Sequence, residues 1–175
     1  MHMRETYDLD SKIRVIRSSF SEVIGAKLVC YETAELLFDD GAWGPWPDLP
    51  IRLYTDTQKV VAIAWSRFDD LWIATDSSLP FPIEGSTVRW VRNSVEKINR
   101  VIGNPIGSVM IGRGQMSVED RDVEIWTRLL IDIGSGWLEI FNALDENGYD
   151  FHLQRPAGTF IPCIEQGASA DRPRE

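Results

Sequence analysis

The chain is poor in the residues that carry most enzymatic chemistry. Among 175 residues there are two histidines, His2 and His152, and two cysteines, Cys30 and Cys163. No CxxC, HxH or HExxH spacing occurs, so zinc lacks a ligand set and no metal or cofactor is expected. His152 is the one candidate base, because His2 sits at the chain end. No GxSxG accompanies it, and nothing in the sequence orients Cys163 against it, so no catalytic residue is expected. The acidic turn DENGYD (145–150) is too short for an EF-hand and reads as a turn at Asn147-Gly148. The glycines of IGNPIGSVMIGRGQ (102–115) lack the GK[ST] ending of a phosphate loop. Arg113 within that run could meet an anion, but one arginine is no signal.

Other scarcities bound the setting. No apolar run approaches the roughly 18 residues of a membrane span. The start, MHMRETYDLD, is polar and has no signal-like apolar region. Two well-separated cysteines in that context read as free thiols. The expectation is a cytoplasmic protein with no membrane association. Bases are scarce too: 18 Lys and Arg face 27 Asp and Glu, for a formal charge of −9. Nucleic acid requires a basic footprint that this chain lacks. An acidic surface fits a basic protein partner, whose approach it steers. Up to Gly85 there are 14 acids and 8 bases, a net of −6; the remainder has 13 and 10, a net of −3. The acidity is concentrated in the first half.

What is present is core material: 43% hydrophobic residues and seven Trp, enough for a sizeable globular core. The chain also repeats itself. IRVIRSS (13–19) resembles VRWVRNS (88–94), VIG recurs at 23–25 and 101–103, and residues 51–70 align without a gap on 127–146. In that last block Arg52 and Asp56 fall on Arg128 and Asp132, and Trp65 falls on Phe141. The order is kept, which suggests two tandem units of about 75 residues packed as a pseudo-twofold pair. Each unit is expected to open on a strand, 12–17 or 87–92, followed by a short helix. Ser19 and Glu22 have capping-box spacing, and Ser94 is a candidate N-cap. Strands are expected at 27–32 and 107–111. Hairpins are expected where TQK separates IRLYTD from VVAIAW, and where IGSG separates EIWTRLLID from WLEIF. FDDLWIAT adds a strand. The fold class is α+β, dominated by antiparallel sheet. The boundaries are an N-terminal extension 1–11, a first β-rich repeat 12–79, a linker 80–86, a second repeat 87–164 and a disordered tail 165–175.

Shared features describe the unit, so function is sought where the copies differ. The largest difference is DDGAWGPWPDLP (39–50), with two Trp, three Pro and three Asp. Proline stiffens such a loop and lowers the entropy lost on docking. Trp is enriched at interaction hot spots. The expected binding residues are therefore Trp43, Trp46, Asp39, Asp40 and Asp48, in a non-enzymatic protein-binding module of the immunity or inhibitor type. SVEDRDVE (117–124) offers a second acidic surface. The competing expectation is an enzyme or small-ligand binder with a carboxylate site between the repeats, formed by Asp69, Asp70, Asp145 and Glu146. A third is a structural or homo-oligomeric assembly module.

Overall fold

The computed structural model describes residues 9–67, 69–118 and 120–167, and excludes the side chains of 116–118 and 121–122 from that description. Its elements in chain order are α1 (Leu9–Phe20), β1 (Leu28–Leu37), β2 (Trp43–Pro45), β3 (Ile51–Thr55), β4 (Val60–Ser66), β5 (Asp70–Ala74), β6 (Val88–Arg92), a 3-10 helix (Glu96–Val101), β7 (Val109–Val118), β8 (Arg121–Asp132), β9 (Trp137–Asn142), β10 (Asn147–His152) and β11 (Phe160–Ile164). Two antiparallel sheets result, so the class is α+β with antiparallel sheet dominant.

The first element corrects the sequence reading. Residues 12–17 are helical, inside α1, and do not form a strand. Lys12, Ile16, Ser19 and Phe20 are its buried residues, and their spacing is the stripe of a helix face. Asp10 in the first turn and Arg17 in the last suit the helix dipole. Ser19 lies within the helix, so the capping box with Glu22 does not form. Ser94 does not cap the 3-10 helix either; Val95 holds that position, and the Ser94 hydroxyl pairs with that of Thr33.

The hairpins fall where expected, with one register difference. Arg52 pairs with Ala62 across β3 and β4, whereas Arg128 pairs with Phe141 across β8 and β9. The second hairpin is longer, which breaks the gapless match: Trp65 is fully buried, but Phe141 lies beside Arg128 and is half-buried.

The first sheet runs β1-β3-β4-β5, with β2 extending the β3 edge of β1. Glu32 pairs with Arg52 on one side and Arg92 on the other, so β6 occupies the opposite edge of β1. The second sheet runs β11-β7-β8-β9-β10. In each sheet a four-stranded meander is completed by a later strand that returns to the free edge of the first. VRWVR is thus the closing strand of the first sheet.

The sheets are joined at their starting ends. Gly25 N donates to Ile106 O and Gly103 N to Leu28 O; Ile106 N donates to Ala26 O and Leu28 N to Asn104 O. Gly25 and Gly103 each have φ of +83°, a conformation that favours glycine. One apolar core spans both sheets and α1, including Phe20, Tyr31, Leu53, Ile63, Trp65, Ile111, Leu129 and Ile140. No helix among the described residues is long and apolar enough to cross a membrane.

Candidate binding surface around the Trp-Pro loop

The segment 38–50 is ordered by its own sequence. At the end of β1 the chain reverses: Phe38 N donates to Ala42 O, Gly41 N to Phe38 O, and Asp40 Oδ1 accepts from Ala42 N. Gly41, at φ +83°, supplies the left-handed residue of this turn. Phe38 lies against Gly44, where a Cβ would collide with its ring, yet Phe38 remains 48% exposed. Asp39 and Asp40 are exposed at the tip beside exposed Leu37. Trp43 is half-buried in β2, with the Arg89 guanidinium 4.4 Å from its ring centroid. Arg89 in turn pairs with Glu35.

Trp46 is also half-buried. Its backbone N donates to Ala34 O, its indole Nε1 donates to Asp48 Oδ2 at 2.7 Å, and its ring meets Phe81 at 6.2 Å. Asp48 therefore orients Trp46. Behind the loop, Leu49 is buried, and Asn147 from β10 latches the segment: Asn147 N donates to Pro47 O at 2.9 Å and its Nδ2 reaches Leu49 O at 3.4 Å.

Beside this loop lies a cavity of about 300 Å³. It is lined by Pro45, Trp46 and Pro47 of the loop, by Thr33 to Glu35 of β1, and by Ser94, Val95 and Tyr149. Burial holds the Tyr149 phenol above its ordinary value, so it stays neutral. The cavity is small for a drug-sized ligand and large enough for one inserted side chain. A shallower groove of about 450 Å³ runs between Leu37, Phe38 and Asp39 and the residues Gly85 to Thr87 that precede β6.

The four other candidate carboxylates have different surroundings. Asp69 is nearly buried and forms an ion pair with Lys12 Nζ at 2.9 Å. Lys12 is itself fully buried, donates also to Trp126 O, and sits 5.8 Å from the Trp65 ring centroid. Burial pushes the Lys12 ammonium below its ordinary value, against the opposing pull of Asp69 and Asp70. Asp70 begins β5 and is half-buried. Asp145 is exposed in the β9–β10 turn, where its N donates to Asn142 Oδ1, and Glu146 is half-buried with its carbonyl accepting from Ala143 N. Asn147 and Gly148 open β10 and are not the turn. In the acidic segment 117–124, Glu119 and the side chains of 117, 118, 121 and 122 lie outside the described residues.

Three residues of this surface were not singled out as functional by the sequence. Asn147 looked like turn chemistry, and Glu35 and Tyr149 became significant only through strand pairing. His152 is half-buried and bonded to Glu139, a nearly buried carboxylate that also holds Arg128.

Comparison with known families, with curated proteins and with solved structures returns no match. The functional reading therefore rests on the residues themselves.

Proposed function

We propose that this chain is a non-enzymatic binding module that engages a basic protein partner through the Trp-Pro loop, in the manner of an immunity or inhibitor protein. The observation that carries the reading is the latched loop. Asn147 and Asp48 fix Trp46 beside a cavity, while Leu37, Phe38, Asp39 and Asp40 are presented at the adjoining hairpin tip. A pre-set aromatic anchor loses little entropy on docking. Exposed Leu37 and Phe38 beside Asp39 and Asp40 suit a partner whose contact patch mixes basic and apolar side chains.

The test is affinity capture from the source cell, compared across variants. Asp39→Asn/Asp40→Asn and Phe38→Ser change exposed residues and keep the core intact. A specific basic protein should be retained by the wild type, elute with salt, and be weakened by both variants and by Trp46→Ala. Capture that is equal across all variants would sink the reading.

The proposal extends to the architecture: two copies of one unit packed about a pseudo-twofold axis, with the boundary moved from the expected 12–79 and 87–164 to 9–92 and 96–164, because VRWVR pairs with β1 of the first sheet. Its support is the matching strand order of the two sheets and the reciprocal pairing of Gly25–Leu28 with Gly103–Ile106. At the offset that maps Gly25 on Gly103, each of those four hydrogen bonds maps on another of the set. Arg52 lies over the Trp90 ring at 3.5 Å and Arg128 over the Phe160 ring at 4.7 Å, each joining the second meander strand to the returning strand. Failure of residues 9–92 to superpose on 96–164 in a crystal structure would overturn this extension.

A further inference from the structure

Arg113 alone was no signal in the sequence, but the fold adds a second arginine from the neighbouring strand. Gly112 pairs with Arg128 and Arg113 with Trp126, with a bulge between the two pairs. The bulged strand twists, and both guanidinium-bearing residues border one cleft of about 660 Å³. Gln115, Gly158 and Thr159 also line it. The described residues lining this cleft include two arginines, and the carboxylates that face them, Glu124 and Glu139, are not among that lining.

The two arginines are held differently. Arg128 is fixed from three directions. Its Nε donates to Glu139, its guanidinium rests 4.7 Å from the Phe160 ring centroid, and Nη1 approaches Ala157 O at 3.4 Å. Glu139 is 4% exposed, and its second oxygen is taken by His152 Nε2 at 2.6 Å. Two glycines clear the space: a Cβ on Gly112 would collide with Phe160, and one on Gly158 would stand 2.8 Å from Arg128 Nη1. Arg113 is loosely held. It meets Glu124 at 3.4 Å, with both side chains about half exposed, a pairing that water screens heavily. The Nη1 contact of Arg128 is likewise near the limit of a hydrogen bond, so an incoming acceptor competes with little.

We infer that this cleft binds a small oxyanion, with Arg128 as the pre-oriented ligand and Arg113 as the adaptable one. A guanidinium presents paired donors that match the oxygens of a carboxylate or a phosphate. The cleft is half open to solvent and wide enough to admit a small organic anion. This site is separate from the Trp-Pro surface and does not depend on the reading given to that surface.

The test uses the full chain, followed by ¹H–¹⁵N NMR of backbone amides and arginine Nε groups. Inorganic phosphate and citrate are titrated separately against chloride at matched ionic strength. Saturable shifts at Gly158, Thr159 and the two arginine Nε groups, absent with chloride, are expected. Response to phosphate alone identifies a phosphoryl ligand, to citrate alone a carboxylate, and to both the wider class; each supports the inference. Arg113→Gln, at a half-exposed position, should weaken binding by about tenfold. Arg128→Lys keeps a charge beside Glu139 but loses the paired donors, and should weaken it similarly. Shifts that do not saturate, or that persist unchanged in both variants, would overturn it.

Discussion

Asn147 in the second sheet is bonded to the backbone of Trp65 in the first: its Oδ1 accepts from Trp65 N at 2.9 Å. Its Nδ2 donates to Ile63 O at 3.0 Å, and the indole of Trp65 returns a bond to Ile140 O. One buried amide thus supplies the acceptor for Trp65 N, which lies beyond the end of the β3–β4 ladder, and adds a second donor to Ile63 O, which already faces Ile51.

Asn147→Ala should therefore cost about 1–3 kcal/mol, because it leaves the buried Trp65 N without the acceptor it uses. Asn147→Asp keeps the acceptor and loses the donor, and should also destabilise. Urea unfolding followed by tryptophan fluorescence measures both. An Asn147→Ala midpoint equal to wild type would contradict the role assigned to this side chain.

The Lys12–Asp69 pair should behave as a buried ion pair. Lys12→Met alone, or Asp69→Leu alone, strands a charge and should cost about 3–5 kcal/mol, whereas the double variant should cost less than either. Additive losses would mean that the two residues act independently. The pH dependence has a defined sign. The Lys12 ammonium of the folded chain titrates below the 10.5 of the unfolded chain. In that window the unfolded state holds more protons, so the contribution of Lys12 to stability rises with pH. Unfolding midpoints measured up to pH 10 should show this rise in wild type relative to the double variant.

Cys163 moves stability the other way. Burial pushes its thiol from 9.0 up to about 11. The unfolded chain loses this proton first, so the thiol contributes stability that is complete below about pH 9 and lost as pH rises to about 11. Cys163→Ala should be less stable at neutral pH and should decline less steeply across that window. In a Cys30→Ser background, a disulfide reagent at pH 8 should react with Cys163 only as fast as the protein opens. Rapid labelling of the native protein would show that the thiol is accessible.

The strands were the legible part of this chain. The meander strands alternate or run apolar between turn residues, and β3, β4, β8 and β9 lie where those patterns place them. IRVIRSS was misread because Ile13, Val15 and Ile16 suit either period. Helical spacing emerges only when Lys12 is counted on the buried face, and a lysine is the last residue a hydrophobic pattern assigns there. The partner of Lys12, Asp69, is far away in sequence, so nothing local announces the pair. VRWVR was correctly a strand, but its place beside β1 depends on a return across the sheet that no local pattern encodes. The Trp-Pro loop could be singled out by composition alone. Its latch could not, because Asn147 beside Gly148 has the signature of a turn. Likewise, Arg128 joins Arg113 only through the bulged register of β7 and β8.

The exchange of backbone bonds between Gly25–Leu28 and Gly103–Ile106 leaves the chain no seam. Each sheet begins at that junction, and the core behind it is continuous. Heat should therefore melt both halves in one transition, with calorimetric and van't Hoff enthalpies in agreement. A chain cut in the linker between β5 and β6 would have to reassemble by association, and its melting temperature would then depend on concentration.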